Sequence, residues 1–343
     1  MSDFSRRLIR WHKRHGRHDL PWQKTTDPYR VWLSEIMLQQ TQVATAMPYY
    51  ERFLQHFPTL ADLADAPVGE VMALWSGLGY YARARNLHAC ARMVMTQHGG
   101  LFPDQPEQLA ELPGIGRSTA NSIATFCFGA RAPILDGNVK RVLSRCFGVE
   151  GFPGNTIVEK QLWSLAEELM PAKHGDIYNQ AQMDLGATLC TRSKPRCTDC
   201  PLEDICVANV TGRQTELPHR KPRAAIPERA VTVLILRHNN RVLLEHRPPH
   251  GIWGGLWSLP ELPDGTPADV FLNQRFSCQI RTASPAPTLT HTFTHFRLQI
   301  LPLVCDVTAA PQVMETGTTW FLLSSVNSIA LPAPIKKLLS SLI

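Results

Sequence analysis

The sequence predicts two domains of different fold class: an all-α N-terminal domain and an α+β C-terminal domain. Its 343 residues are more than one hydrophobic core usually serves. Apolar residues recur at three- and four-residue spacing through the first half, which is typical of amphipathic helices. Further along, short β-rich runs separated by turn residues replace that pattern. A basic, proline-containing segment lies between the two patterns and indicates a linker.

The helical domain is predicted to cover residues 1–212. The apolar side chains of Val31–Met37 follow helical spacing, and Gly99 with Gly100 marks a helix end. Residues 213–228 form the predicted linker, because prolines and basic side chains interrupt the apolar period there.

Residues 229–343 form the predicted α+β domain. Ala230–Leu236 is rich in β-branched and aliphatic residues, and Asn239-Asn240 separates it from Val242–Leu244, which predicts a hairpin. A further strand and a closing amphipathic helix are predicted at Phe293–Val304 and Pro334–Ile343.

Composition excludes several classes of protein. Hydrophobic residues make up 44% and charged residues 19%, which is ordinary for a globular protein. No apolar run is long enough to span a membrane, and the N-terminal stretch is basic without the apolar segment of a secretory signal. The net charge of +6 permits a polyanionic partner. Nine cysteines, an odd number, favour a reducing compartment over a disulfide framework, so we expect a cytoplasmic protein.

Four of the cysteines are clustered with the spacing Cys190-x6-Cys197-x2-Cys200-x5-Cys206. Four thiolates in one short loop can hold zinc or a 4Fe–4S cluster. Zinc sites usually consist of two close pairs, and here only the middle two cysteines form one. The loop also carries basic residues, which are either solvated or directed at phosphates, namely Arg192, Lys194 and Arg196.

A second motif, Leu112-Pro-Gly114-Ile-Gly116-Arg-Ser118-Thr-Ala, predicts a tight turn that opens a helix. The two glycines permit positive φ and close backbone approach. The amides at the start of the helix point outward and favour an anion, such as a DNA phosphate.

Two carboxylates are candidates for chemistry. Trp32–Val43 is predicted to be helical, which would place Glu35, Gln39 and Gln42 on one face as a narrow polar stripe lining a cleft. The ordinary alternative is a solvated helix face. Asp136 precedes a helical run, where aspartate is most often an N-cap.

The chain resembles the endonuclease III superfamily of DNA glycosylases, and within it the MutY-type adenine glycosylase branch. The resemblance rests on the cysteine spacing, the glycine turn, the Glu35 segment, Gly77–Asn86 and Leu135–Asn138, and it covers nearly the whole chain. It implies a helix–hairpin–helix at about 111–125 and a 4Fe–4S cluster on the loop 190–206. It also implies a monomeric bacterial enzyme that lies on the nucleoid when bound to DNA.

The resemblance assigns chemical roles to several residues. Glu35 is expected to protonate the adenine leaving group, Asp136 to stabilise the cationic sugar, and Asn138 to order the site. Cleavage of an N-glycosidic bond needs such a divided pair of carboxyls, and we expect a raised pKa for Glu35. Ser118 stands where lyase members carry a Schiff-base lysine, so base removal without efficient strand cleavage is expected.

The resemblance also implies how the base is extruded from the duplex. Gln40 is expected to wedge into the base stack, Tyr80 to insert beside the opposite base, and Gln180 to contact the flipped adenine. DNA-binding roles follow for the backbone of the hairpin at Leu112, Gly114 and Gly116.

The C-terminal domain resembles the Nudix-like domain of MutY proteins at Arg247–Trp257. The glutamate-rich magnesium box of working Nudix hydrolases does not follow Gly255, so we expect binding without hydrolysis. Phe293, Thr294 and His295 correspond to the family's Phe-Ser-His loop for 8-oxoguanine, with threonine in place of serine. The expected partner is therefore double-stranded DNA with an A:8-oxoguanine or A:G mispair.

Three alternatives stay open from the sequence. One is a glycosylase with lyase activity on oxidised pyrimidines, which Ser118 and the C-terminal domain disfavour. Another is a nucleotide hydrolase, which the missing magnesium box disfavours. The last is a DNA-binding protein without catalysis, which the joint presence of Glu35 and Asp136 disfavours.

Overall fold

The structure, a computed structural model, describes residues 1–221, 225–249, 251–293, 295–308 and 317–342. Thr294 therefore lies outside the described residues, as do residues 222–224 of the predicted linker. The chain divides into two compact units, one of residues 1–64 with 89–223 and one of residues 65–88 with 224–343. Residues 65–88 belong to the helical part of the sequence, but they pack with the second unit. The domain boundaries drawn from sequence at 212 and 229 stay a prediction.

The N-terminal part of the chain is helical throughout. Its α-helices are α1 (Asp3–His15), α2 (Pro28–Leu38), α3 (Val43–His56), α4 (Leu60–Asp65), α5 (Val68–Trp75), α6 (Ala82–Gln97), α7 (Pro106–Ala110), α8 (Arg117–Phe128), α9 (Gly137–Cys146), α10 (Thr156–Leu169), α11 (Gly175–Thr188) and α12 (Val207–Val210). Short 3₁₀ helices occur at Pro21–Gln23 and Cys197–Asp199. No helix in the described ranges is long and apolar enough to cross a membrane.

Local sequence explains where these helices begin. The side chains of Ser2, Asp27, Asp136 and Asn155 each accept a hydrogen bond from a backbone N–H in the first turn that follows. Such caps satisfy amides that have no partner inside the helix. Helices α1, α9, α10 and α11 then bury their apolar faces in one core of the first unit, with Leu8 and Tyr178 fully enclosed.

The predicted continuous helix over Trp32–Val43 is wrong. Helix α2 ends at Leu38, a turn follows in which the N–H of Thr41 donates to the Leu38 carbonyl at 3.1 Å, and α3 begins at Val43. Gln40 has a left-handed backbone, with φ of 57°, which no helix continues through. The stripe of Glu35, Gln39 and Gln42 is therefore not one face of one helix.

The C-terminal part of the second unit is built on a mixed sheet. Its strands are β1 (Glu228–His238), β2 (Arg241–His246), β3 (Trp257–Ser258), β4 (Glu261–Leu262), β5 (Ile280–Pro285), β6 (Leu289–Thr292), β7 (Arg297–Val307) and β8 (Thr318–Leu322). The order is β3-β2-β1-β7-β5, with β4 paired to β1, β6 to β7 and β8 to β2. Only the β1–β7 pair is parallel among the described strand pairs. Helices α13 (Ala268–Phe276) and α14 (Ala333–Ser340) and a 3₁₀ helix at Leu323–Ser328 complete this part.

The hairpin predicted at Asn239-Asn240 is confirmed. Both asparagines have positive φ, 44° and 60°, and Arg237 pairs with Val242 across the turn. This conformation suits a two-residue hairpin turn, and asparagine adopts it more readily than most residues. The closing helix is confirmed as α14, whereas the strand predicted over Phe293–Val304 begins later, as β7.

Candidate active site

The first unit contains a cavity of about 1050 Å³ that is lined by residues of α2, α8, α9 and α11. Glu35, Ser118, Asp136, Asn138 and Gln180 all line it. The cavity thus brings together the carboxylates, the serine and the glutamine that the sequence selected from four separate segments. Gln39 and Gln42 also line it, although they belong to the turn and the start of α3 rather than to the helix of Glu35.

Glu35 comes from a helix that is otherwise packed into the core. Its neighbours Ser34 and Ile36 are 1% and 2% exposed, whereas Glu35 itself lines the cavity. Burial raises the pKa of Glu35 to about 7; the Ser122 hydroxyl opposes this shift, and the negative charge of Asp136 adds to it. Burial acts in this direction because the charged form loses its hydration.

Asp136 is the N-cap of α9 as well as a cavity residue. Its Oδ1 accepts from the Val139 N–H at 2.8 Å, and its Oδ2 accepts from Asn138 Nδ2 at 3.1 Å. Burial raises the pKa of Asp136 above its ordinary value, while these hydrogen bonds and the charge of Arg141 limit the shift by favouring the anion. Asp136 is therefore a partly buried carboxylate that accepts hydrogen bonds from Val139 and Asn138.

Arg141 orders this corner of the cavity, and sequence reasoning missed it. Its Nη2 donates to Asn138 Oδ1 at 2.8 Å and to the Gly186 carbonyl at 2.7 Å, and its Nε donates to the Cys190 carbonyl at 2.7 Å. A side chain at Gly186 would come within 2.5 Å of the Asn138 Cβ, so the glycine permits the close approach of α11 and α9. The signal in the sequence was an arginine one helical turn after Asn138.

The predicted helix–hairpin–helix lies over α7 and α8. Gly114 has φ of 78°, and Gly116 is the N-cap of α8 with an extended backbone. The Leu112 side chain is buried and fastens the turn to the core. Ser118 accepts a hydrogen bond on Oγ from the Leu135 N–H at 3.0 Å, which ties the start of α8 to the segment that precedes Asp136.

Gln180 is oriented by a buried anion that the sequence analysis did not select. Gln180 Nε2 donates to Asp184 Oδ1 at 2.9 Å. Asp184 is fully buried and also accepts from Arg17 Nη2 at 2.6 Å, from Arg17 Nε at 2.8 Å and from the Arg17 backbone N–H at 2.7 Å. Although burial raises the pKa of Asp184, the hydrogen bond from His12 and the charge of Arg17 bring it below its ordinary value.

Gln40 and Tyr80, the two predicted wedge residues, share an unusual backbone. Both have positive φ, 57° and 50°, and both side chains are exposed, Tyr80 by 50%. Non-glycine residues avoid this conformation, and it clusters at functional sites where the surrounding structure enforces it. Gln40 belongs to the first unit and Tyr80 to the second.

The four clustered cysteines lie between the end of α11 and the start of α12, and Cys197 begins the 3₁₀ helix between them. Cys190, Cys200 and Cys206 pack against the core of the first unit, and Arg145 Nη1 donates to Cys190 Sγ at 3.3 Å. Burial, together with the neighbouring thiols of Cys190, Cys206 and Cys197, raises the pKa of Cys200 to about 12. In the described ranges, no three or more histidine, cysteine, aspartate or glutamate side chains are arranged so that they could hold a single metal ion. The donor set, four sulfurs in one loop with a cation beside one of them, fits an iron–sulfur cluster in its chemistry.

Phe293 and His295 lie at the end of β6 in the second unit. The Phe293 ring stacks on Phe296 with centroids 4.6 Å apart, and His291 meets Phe293 edge-on at 4.6 Å. His295 is exposed, and its ring lies 5.1 Å from that of Phe296. The ring centroid of Trp253 lies 5.9 Å from that of Phe293. Trp253, His291, Phe293 and Phe296 thus form a cluster of packed rings, called here the aromatic cluster.

Comparison with known proteins identifies the family. Residues 33–168 match the model of HhH-GPD superfamily base excision DNA repair proteins, and residues 231–341 match the NUDIX domain. The adenine DNA glycosylase of Buchnera aphidicola subsp. Acyrthosiphon pisum is 36% identical over 340 residues, which is 98% of this chain and 97% of the relative. The chain belongs to the adenine DNA glycosylases. The predicted enzyme class and the two-part fold of this glycosylase are thereby confirmed.

Other relatives and solved structures match the whole chain or only its N-terminal part. The human adenine DNA glycosylase is 33% identical over 98% of this glycosylase and 73% of the relative. A thymine-DNA glycosylase of Aeropyrum pernix is 36% identical, but over only 59% of the chain. Among solved structures, a thermostable thymine-DNA glycosylase matches 61% of the chain and 95% of its own length with a TM-score of 0.56 and 30% identity. A non-covalent endonuclease III–DNA complex, with a TM-score of 0.53 at 22% identity over 61% of this chain and 94% of its own, shares the fold.

Proposed function

We propose that this glycosylase hydrolyses the N-glycosidic bond of adenine opposite 8-oxoguanine, and of adenine opposite guanine. The observation that carries the proposal is the cavity that holds Glu35 and Asp136 together, with the pKa of Glu35 raised to about 7. A carboxyl with that pKa is substantially protonated near neutral pH and can deliver a proton in the transition state. Glu35 is therefore the general acid for the adenine leaving group.

Asp136 stabilises the positive sugar that develops as the bond breaks. Its hydrogen bonds from Val139 and Asn138 support the ionised form, and they fix the carboxylate in the cavity wall. An anion held in this way needs little reorganisation when positive charge develops next to it, which is the condition for electrostatic catalysis. Asn138, itself held by Arg141, orders the group without changing its charge.

The reaction proceeds without efficient strand cleavage. A lyase of this superfamily needs an amine to form a Schiff base with the sugar. Ser118 supplies a hydroxyl that is already engaged with the Leu135 amide, and the cavity lining contains no lysine among the described residues. Hydrolysis is the remaining route for the oxocarbenium-like sugar.

The DNA is held and distorted by groups outside the catalytic pair. The outward amides after Gly114 and Gly116 bind a phosphate at the start of α8. Gln40 and Tyr80, exposed on left-handed backbone, enter the base stack as the adenine leaves it. Gln180, oriented by Asp184, contacts the flipped adenine in the cavity.

The aromatic cluster of the C-terminal domain contacts the base opposite the adenine. Phe293, Thr294 and His295 are proposed to recognise 8-oxoguanine; the proposal for Thr294 rests on sequence alone. Helix α13, which follows Gly255, has the sequence ADVFLNQRF and carries no glutamate that could hold the magnesium of a Nudix hydrolase. This supports a binding function for the sheet domain.

We also propose that Cys190, Cys197, Cys200 and Cys206 hold a 4Fe–4S cluster. When bound, the cluster would cross-link the loop through four thiolates. Arg145 supports it from the protein side by donating to Cys190 Sγ and to the Thr191 carbonyl. The exposed cations of the same loop, Arg192, Lys194 and Arg196, are placed on the surface where they can meet DNA phosphates.

A single-turnover assay tests the reaction. A labelled duplex with one adenine opposite 8-oxoguanine is incubated with the full chain, with and without a final alkali step. We expect strand breakage only after alkali, and none with Glu35→Gln. Matched duplexes with adenine opposite guanine, and with thymine opposite guanine, test the base specificity. Breakage before alkali, or excision of thymine alone, would contradict the proposal.

A further inference from the structure

The loop that carries Tyr80 is built as a rigid support. It joins α5 to α6 and comprises residues 76–81, called here the tyrosine loop. Gly77 and Gly79 have φ of 99° and 79°, and Tyr80 itself has φ of 50°. A large, half-exposed ring on such a backbone adds little to the core, so the conformation must be enforced by contacts around it.

Arg83 provides the first set of these contacts. It is only 9% exposed, and its Nη2 donates to the carbonyls of Gly79 at 3.2 Å and Leu78 at 3.4 Å. Its guanidinium carbon lies 5.2 Å from the ring centroid of Trp75 and 5.5 Å from that of Tyr80. Burial lowers the pKa of Arg83 to about 10, which still leaves it a cation at neutral pH. A cation at this range from an aromatic face attracts it.

The carbonyl of Leu331 provides the second set. It accepts from Ser76 Oγ at 3.2 Å and from the Tyr81 hydroxyl at 3.4 Å, at the two ends of the tyrosine loop. Tyr81 also accepts from the Gly77 N–H at 3.3 Å, so one hydroxyl links the loop's own backbone to Leu331. Leu331 is fully buried just before α14, and its carbonyl therefore belongs to a firm part of the second unit.

We infer that Arg83 is a positioning residue that, with the Leu331 carbonyl as anchor, holds Tyr80 ready to enter DNA beside the base opposite the adenine. The inference rests on the proposed insertion of Tyr80. Beyond that insertion, it assigns to Arg83 and to the Leu331 carbonyl a part in distinguishing 8-oxoguanine from guanine opposite the adenine. Neither of them needs to touch DNA.

A double-mutant cycle separates positioning from general stabilisation. The variants Tyr80→Ala, Arg83→Met and their combination are compared for the ratio of dissociation constants on A:8-oxoguanine and A:G duplexes. Stacking of one aromatic side chain on a base has a free-energy contribution that corresponds to roughly tenfold in binding. Because every base has a π-face, only the part of this contribution that differs between 8-oxoguanine and guanine enters the ratio. We therefore expect a loss of up to about tenfold in the ratio for each single variant, and no further loss in the combination. Arg83→Lys, which keeps the charge, should recover part of it.

Arg92→Met is the matched control, since Arg92 is exposed on the same helix α6. It should leave the ratio unchanged. If Arg83→Met does not fold, Ser76→Ala combined with Tyr81→Phe removes both donors to Leu331 and should lower the same ratio, again without effect in the Tyr80→Ala background. Additive losses, or full discrimination in Arg83→Met, would overturn the inference while leaving Tyr80 insertion intact. Full discrimination in Tyr80→Ala would reject the insertion itself and the inference with it.

Discussion

Asp136 accepts the Val139 N–H at 2.8 Å and so begins helix α9 with the same carboxylate that lines the cavity. From sequence, the N-cap and the catalytic carboxylate were competing interpretations of this residue. The geometry makes them compatible, because one oxygen caps the helix while the other is held by Asn138 at 3.1 Å. The cap fixes the position of the carboxylate that we propose stabilises the cationic sugar.

Substitution of Asp136 by asparagine should separate the two roles. Asparagine caps helices about as well as aspartate, so Asp136→Asn is expected to change the free energy of unfolding by less than about 1 kcal/mol. Loss of the negative charge should reduce the single-turnover rate by at least about 10²-fold. Urea denaturation and the excision assay measure the two quantities on one preparation.

Asn155→Ala is the matched control, because Asn155 caps α10 through the Ile157 N–H at 2.9 Å and does not line the cavity. It should cost about 1 kcal/mol of stability with no change in rate. An Asp136→Asn enzyme of normal rate would reduce Asp136 to a structural cap.

Glu35 should control the pH dependence of excision. A general acid acts in its protonated form, so the single-turnover rate should be highest at low pH and fall as pH rises through the pKa of about 7. In Glu35→Gln the rate should be lower by about 10²- to 10⁴-fold and lose this dependence. A wild-type rate that stays flat between about pH 6 and 8 would exclude Glu35 as the acid.

The raised pKa of Glu35 should also make the stability of the protein depend on pH. Because the pKa of Glu35 is raised in the folded state above its ordinary 4.5, ionisation opposes folding. No penalty exists below the ordinary value; the penalty grows as pH rises from 4.5 to about 7, and above that it stays at a limit on the order of 3 kcal/mol. Glu35→Gln should therefore be more stable than the wild type at pH 8 and equally stable near pH 4. Denaturation at both pH values measures this, and equal stability at both would contradict the burial of the charge.

Glu35 and Asp136, which line one cavity, were both selected from the sequence, whereas the residues that hold the neighbouring groups in place were not. Glu35, Asp136 and the cysteines belong to motifs with local spacing, whereas Arg17 and Asp184 are 167 positions apart and meet only in the fold. The end of α2 was missed for a different reason. Leu38, Gln39 and Gln40 have good helix propensity and include no glycine or proline, so only the tertiary structure reveals the turn. In the same way, nothing local in residues 65–88 indicates that they pack with the second unit.

The Arg17–Asp184 pair, in which the carboxylate is fully buried, should contribute to stability. Asp184 is fully buried, whereas the Arg17 side chain is 27% exposed. Asp184→Asn therefore leaves no buried charge, but it removes the anion that accepts the charge-assisted hydrogen bonds of Arg17, so it is expected to cost about 1.5–3 kcal/mol. Since the pKa of Asp184 lies below its ordinary 3.8, its stabilising contribution is complete above that pH and is lost only as pH falls further. The exposed Arg117–Glu167 pair is the control, and Glu167→Gln should cost less than about 1 kcal/mol. An equally small cost for Asp184→Asn at pH 7 would show that the pair does not anchor α11.

Metal analysis of cysteine variants tests the cluster. If the loop holds 4Fe–4S, the purified chain should contain about four iron atoms and no stoichiometric zinc. Serine cannot supply a thiolate, so Cys197→Ser should lose iron and visible absorbance and should bind DNA more weakly, because the basic loop is no longer held. Cys127→Ser is the control, since Cys127 lies on α8 outside the loop and should keep full iron content. One zinc per chain in place of iron would overturn the proposed cofactor while leaving the four cysteines as its ligands.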